Sequence, residues 1–409
     1  MRRSNVALTA ALVLALGAVA KLASAPGQSF FLAVFVEDVL RDTGVSRTAF
    51  SGLYAGATVV SATMVLAVGR SIDRFGAGLV WFAVAAGLAC ACLVLSAATG
   101  LAMVLLALCF MRGFGQGSFP LLGTVIIASN FEARRGRAMA LATQGITVAG
   151  VVLPGLAAAL IAAFGWRAAL QLVAVALFVA IFPLGFAARR SHPAATRTKR
   201  PRGLGLHQML RLPGAPRLLL VLSAAPLVST ALVLNSVSLL ATVGLSAGQA
   251  AAALGATAAC VAVGAAAGGV IADRCAVRWS LAPIGVALAT ATALVLSGLP
   301  GPAFAGFLAL GLANGLGTTA NGTVWARTYG TAALGRLQGM SSSAQIVGAA
   351  IGPLVLAGSA SLSGSYLPGL VALACLSLVA VALGWRCRPG SSGRTVEELG
   401  GLRLPTEPA

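Results

Sequence analysis

Charge is what this sequence has least of. Only 9% of its 409 residues are Asp, Glu, Lys or Arg, while 58% are hydrophobic. With a mean hydropathy of +0.95, too few polar side chains remain to cover a water-facing surface, since soluble domains carry roughly 25% charged residues. Acid is scarcer still. The nine Asp and Glu all lie outside the cores of the apolar runs, the nearest being Glu37 at the end of the first. Without paired acids, or a nucleophile beside a base, nothing suggests a catalytic site, and the chain is read as a non-enzyme. Both histidines, His192 and His207, fall in one polar stretch, and no Cys or His spacing suits a metal, so no metal and no cofactor are expected. Of the seven cysteines, Cys90, Cys92, Cys109, Cys260 and Cys375 sit in apolar runs and Cys275 and Cys387 beside basic residues, which is no disulfide framework.

What the sequence has is Ala, Gly and long apolar runs. A run of roughly 20 apolar residues crosses a bilayer, and such runs occur near 7–36, 50–68, 79–97, 101–128, 138–163, 168–188, 216–240, 247–271, 279–298, 303–325, 338–358 and 367–385. The fold class predicted is therefore all-α and integral to the membrane, with about twelve transmembrane helices. The bilayer is the main partner. Small residues let such helices approach closely, so the Ala/Gly-rich stretch 250–269 reads as a tightly packed helix.

The net charge of +19 would suit nucleic acid, but its placement excludes that partner. All Lys and Arg except Arg41, Arg47, Arg167, Lys21 and Arg112 fall in one alternate set of loops and tails. Positive loops stay inside, so both termini are expected in the cytoplasm and the helix count is even. Arg2, Arg3 and the run ending Ala23-Ser24-Ala25 imitate a cleaved leader. Lys21 interrupts that run and apolar residues resume through Val36, which favours a retained first helix.

The domain reading is a first six-helix bundle at 1–188, a basic linker at 189–215, a second bundle at 216–388 and a disordered tail at 389–409. Punctuation supports two like halves. Gly69-Arg70-Ser71-Ile72-Asp73-Arg74 matches Gly269-Val270-Ile271-Ala272-Asp273-Arg274 at an offset of 200 residues, as does Gly115-Gln116-Gly117 with Gly315-Leu316-Gly317. Gly136 with Gly335 and Pro154 with Pro353 follow at 199. Each half is read as one copy of a six-helix unit.

The Gly-x-x-x-Asp-Arg segment, extended at its first copy to Asp73-Arg74-Phe75-Gly76, resembles the signature loop of the major facilitator superfamily. The likeness spans roughly residues 7 to 388. It implies two pseudo-symmetric bundles and alternating access. It also implies a cytoplasmic latch built from Gly69, Asp73, Arg74, Gly76, Gly269, Asp273 and Arg274. In that latch the acid faces a neighbouring helix amino terminus and the arginine beside it pairs across the loop. Within the superfamily, Pro26-Gly27-Gln28-Ser29-Phe30-Phe31, Phe164-Gly165-Trp166-Arg167 and Gly352-Pro353-Leu354 with Gly364-Ser365-Tyr366 look like the monocarboxylate porter and oxalate/formate antiporter branch. Many bacterial carriers share these stretches, so a bacterial inner membrane is the expected location. Arg112-Gly113-Phe114-Gly115-Gln116-Gly117 resembles the family's Arg-x-x-Gln-Gly pattern with the glutamine one place late. Gly150 to Gly155 carries the exporter motif with Gly-Pro inverted, which weakens an exporter assignment.

Lys21 and Arg112 fall at mid-membrane depth. A cation there costs at least ~2.5 kcal/mol and faces a cavity or a partner. With no acid in the helix cores, the partner is read as an anionic small-molecule cargo, and the resemblance puts the first and fourth helices at the central cavity. The competing readings are that Arg112 bonds backbone carbonyls of a neighbouring helix and that Lys21 is uncharged or faces a water-filled vestibule. Helical spacing adds Gln28 after Lys21, Gln116 after Arg112, a stripe of Tyr54, Thr58 and Ser61, another of Asn314, Thr318 and Asn321, and the pair Asn235 and Ser238. Polar groups in lipid must be satisfied internally, so these face protein or cavity. The function expected is transport of a small monocarboxylate or dicarboxylate with a coupling proton or by exchange, by a monomer. A drug or metabolite exporter and a non-transporting sensor are the alternatives.

Overall fold

The computed structural model describes residues 2–45, 47–132, 134–191, 209–331 and 333–387. The described residues form helices and short connections, with no strand among them, and twelve helices are long and apolar enough to cross a membrane. The tail at 389–409 and most of the linker lie outside the described residues.

The first half comprises α1 (Arg2–Ala23), α2 (Ser29–Thr43), α3 (Arg47–Phe75), α4 (Ala77–Ser96), α5 (Leu101–Phe110), α6 (Phe119–Asn130), α7 (Arg135–Phe164), α8 (Trp166–Ala176) and α9 (Gly185–Ser191). The second has α10 (Ala215–Leu234), α11 (Ser236–Ala241), α12 (Ala247–Arg274), α13 (Val277–Leu296), α14 (Pro300–Tyr329), α15 (Leu334–Ser363) and α16 (Leu367–Arg386).

Four of the predicted spans are not the continuous α-helices expected. The first span breaks between α1 and α2 in a 3-10 turn at Ala25–Gly27, because Pro26 has no N–H to donate to the ladder. The fourth passes through a π-helical segment, Met111–Ser118, between α5 and α6. The sixth passes through a π turn at Leu177–Ile181 and a 3-10 turn at Phe182–Leu184. The seventh breaks at Asn235 between α10 and α11. A second correction concerns the Gly-x-x-x-Asp-Arg segments. They form the last turns of α3 and α12 rather than loops, and Gly76, at φ +82°, makes the turn into α4.

Close backbone approach through small residues sets the packing. In the second half α12 lies against α14, where a Cβ on Gly311 would meet the Thr257 carbonyl and one on Gly268 would touch Leu316. Thr257 and Thr319 hydroxyls donate across this seam to Phe307 O (3.0 Å) and Ala265 O (3.1 Å). In the first half α1 lies against α6 and α7, with Gly123 against Gly17 O and Gly145 against Ala18 O. Lipid provides no hydrophobic drive for helix association, so such contacts must hold the bundles together.

The halves meet through α3 with α15 and α7 with α12. The bonds that Asp73, Asp273 and Ser343 make between the halves lie from mid-helix to the end nearest Gly76. Asp73 accepts from the Gly335 and Arg336 amides at 2.8 and 2.9 Å, and Asp273 accepts from Gly136 and Arg137 at 2.6 and 3.1 Å. Each acid thus caps the amino terminus of a helix in the opposite half, where unpaired N–H groups and the helix dipole favour an anion. Ser343 Oγ adds a bond to Ala62 O at 2.6 Å.

Candidate functional site

The broken first span and the π segment of the fourth interlock. A Cβ on Gly115 would lie 2.7 Å from Gly27 Cα, and one on Gly27 would strike Met111 O. Only two glycines allow this approach. It sets the Gly27 carbonyl beside Arg112, and π-bulges in helices are frequent at functional sites.

Arg112 is 5% exposed. Its Nη1 donates to Tyr54 Oη at 2.6 Å and to Gly27 O at 3.4 Å, and its Nε and Nη2 donate to Thr58 Oγ1 at 3.1 and 2.9 Å. The guanidinium carbon also lies 4.3 Å from the Tyr54 ring centroid, a cation–π contact of about 0.5–2 kcal/mol. Every partner is neutral, and the one main-chain oxygen is the longest contact. The expected pairing of Arg112 and Gln116 on one α-helical face is corrected. Arg112 bonds Tyr54, Thr58 and Gly27 instead, and the buried Oε1 of Gln116 has no hydrogen-bond partner.

Lys21, 4% exposed, donates from Nζ to Thr143 Oγ1 at 2.7 Å and approaches Met139 Sδ at 3.7 Å. Thr143 Oγ1 itself donates a hydrogen bond to Met139 O at 2.8 Å. Met139 in turn lies under Gly322 of α14, so Lys21 sits one residue from the seam between halves. Gln28 Nε2 donates to Ser24 Oγ and Ser24 Oγ to Lys21 O, so Gln28 stabilises the break rather than touching the ammonium.

The structure therefore brings Arg112, Tyr54 and Thr58 together, and Lys21 with Thr143, as two separate clusters flanking the α1–α2 break. The second-half candidates form their own groups. Asn314 donates to Ser229 Oγ at 2.8 Å, Thr318 is exposed one turn further along α14, and Asn235 donates to Ala231 O at the α10 terminus. Asn321 turns to α15, accepting from Gln338 and Ser341. Thr143, Ser24 and Ser229 escaped the sequence reading. A single hydroxyl in an apolar helix gives no sign of which helix it will meet.

At the latch, the arginine expectation is corrected. The guanidinium nearest Asp73 is Arg336 (3.7 Å) and that nearest Asp273 is Arg137 (3.7 Å). Arg74 lies instead over the Phe75 ring at 4.9 Å, and Arg274 makes no ion pair among the described residues.

Twelve spans in two like halves, clasped crosswise at one end, define a multi-pass membrane carrier fold. The chain belongs to the Major Facilitator Superfamily, whose family model matches residues 17–240. Among solved structures it is similar to the crystal structure of the human organic anion transporter MFSD10 (TETRAN), with a TM-score of 0.71 at 16% identity over 92% of this chain and 99% of that one. A search of curated proteins finds no sequence match.

Proposed function

We propose that this protein is a secondary active transporter that moves a small organic anion, a monocarboxylate or dicarboxylate, by alternating access. Binding falls to the first half, around Lys21 and Arg112 with Tyr54, Gln28 and Gln116, and Asn235, Asn314 and Thr318 close on the cargo from the second. The carrying observation is Arg112, a buried guanidinium whose partners are two hydroxyls and one distant carbonyl. A permanent cation at that depth without a carboxylate is stabilised best by an anion that arrives and leaves. Arginine suits a carboxylate because its planar fork can make two parallel hydrogen bonds to it.

The clasped end is assigned to the cytoplasm by the basic loops, in a bacterial inner membrane, and the molecule acts as a monomer. Asp73 and Asp273, with Gly69, Gly76 and Gly269, form the latch that opens when the carrier turns inward. The energy source is a coupled proton or a counter-anion. Three sequence stretches support the monocarboxylate and oxalate/formate branch, and the likeness to MFSD10 is one of fold alone.

The test is uptake into proteoliposomes of labelled carboxylates, sugars, amino acids and dyes under imposed pH gradients. Carboxylate uptake supports the reading. Uptake confined to sugars or cationic dyes overturns it, and proton-driven efflux of neutral compounds supports export instead.

A further inference from the structure

On the clasped side, four spans end together around a small cavity of about 40 Å³ that is separate from the transport site. Its lining includes the Pro213–Gly214 turn, Arg217, Thr328, Tyr329 and Arg386. A water needs about 10–15 Å³ on this measure, so the space suits an oxyanion with its first waters rather than a larger molecule. Arg217 and Arg386 come from opposite ends of the second half, from the first turn of α10 and the last residue of α16. Both are exposed, and neither has an acidic partner among the described residues. Thr328 Oγ1 is buried and has no hydrogen-bond partner. The Tyr329 hydroxyl is committed to Pro213 O at 2.7 Å and holds the turn in place. Gly214, at φ +85°, starts α10 here, so the positive end of a 20-residue helix dipole adds to the two guanidiniums.

The depth of this cavity is marked by aromatics. Trp279 and Trp385 meet edge to face at 5.0 Å and remain 44% and 52% exposed, directly beside Arg278 and Arg386. Exposed tryptophans at span ends belong to the level of lipid headgroups. Cationic side chains, an unpaired hydroxyl and a helix amino terminus at that depth share one complementary ligand. The geometry points to a phosphate-binding site between α10, α13, α14 and α16, filled by the phosphate of an anionic lipid headgroup or by a free phosphate ion. A basic pocket between span ends is the type of site that recognises such headgroups.

The test uses the purified full chain in neutral detergent, with native mass spectrometry and thermal midpoints. The probes are phosphatidylglycerol, phosphatidylcholine and inorganic phosphate. Phosphatidylglycerol is expected to remain bound and raise the midpoint, and phosphatidylcholine to do neither. Each arginine removed should weaken binding about five-fold, so Arg217→Gln with Arg386→Gln costs about 25-fold. Arg70→Gln, an exposed cation elsewhere on the same side, should change nothing. Thr328→Val removes only the unpaired hydroxyl and is expected to cost about five-fold. It supplies the reading should the double variant fail to fold. Protection by inorganic phosphate that the same substitutions abolish identifies the free ion as the source. Equal binding by wild type and variants, equal weakening by Arg70→Gln, or binding of neither phosphate species overturns the site.

Discussion

Gly27 and Gly115 pack backbone against backbone, the break in the first span seated in the π turn of the fourth. A methyl group on Gly115 would come within 2.7 Å of Gly27 Cα and of its amide, and main chain cannot step aside as a flexible side chain can. Gly115→Ala is therefore expected to destabilise the first half by about 1–3 kcal/mol and to impair transport. Gly52, with open space where its side chain would be, is the contrast. Gly52→Ala should be neutral or stabilising by about 0.5–1 kcal/mol. Thermal midpoints of the two variants check the pair, and equal midpoints would refute the interlock.

The crosswise capping by Asp73 and Asp273 predicts a population shift. Hydrogen bonds from amides to a carboxylate contribute roughly 1.5–3 kcal/mol, so Asp73→Asn is expected to favour the unclasped state by about ten- to a hundredfold. Spin-label distances across the ends of α3 and α15 should lengthen in the variant. Unchanged distances would remove the acid from the latch.

At the opposite end, Asp42 ties three elements together. It accepts from Trp166 Nε1 at 2.8 Å and from Arg41 Nε at 3.3 Å, with Arg167 at 3.8 Å. Arg167 also bonds the Ser96 and Ala98 carbonyls at 2.7 and 3.1 Å. The Trp166 hydrogen bond holds the Asp42 carboxyl below its ordinary 3.8; desolvation opposes it, and Arg41 and Arg167 add smaller effects in the same direction as Trp166. A depressed folded-state value means that the stabilisation is complete above the unfolded pKa and is lost as pH falls through the folded one. The thermal midpoint should therefore drop on acidification below about pH 4, and Trp166→Phe should make that drop smaller. An identical pH profile for the two proteins would contradict the assignment.

Arg112→Lys separates charge from geometry. Lysine keeps the positive charge but cannot span Tyr54 and Thr58 with one planar fork. Uptake is expected to fall about ten- to a hundredfold with the substrate KM raised. Wild-type kinetics would reduce Arg112 to a simple charge.

The repeated marks carried much of this architecture in the sequence. Asp73 and Asp273, 200 residues apart, dock on Gly335 and Gly136, which are themselves a repeated pair. The arginines of the latch are not legible in the sequence, because Arg336 and Arg137 reach the acids only where the halves dock, a relationship that no local spacing encodes. Pro26-Gly27 signalled a break that the surrounding apolar run concealed. The π turn at Met111–Ser118 left no mark, because one extra residue in a ring of backbone hydrogen bonds leaves an apolar pattern nearly unchanged. Lys21 and Arg112 were legible as costly charges, whereas their partners Thr143, Thr58 and Tyr54 depend on which helices meet.

The most direct test of an anionic cargo is carboxylate uptake by Lys21→Gln and Arg112→Gln in proteoliposomes, with folding checked by helical circular dichroism and monodispersity. Both variants are predicted to fold and insert, and to lose uptake by at least about a hundredfold. Full transport by both, at wild-type rates, would contradict the account.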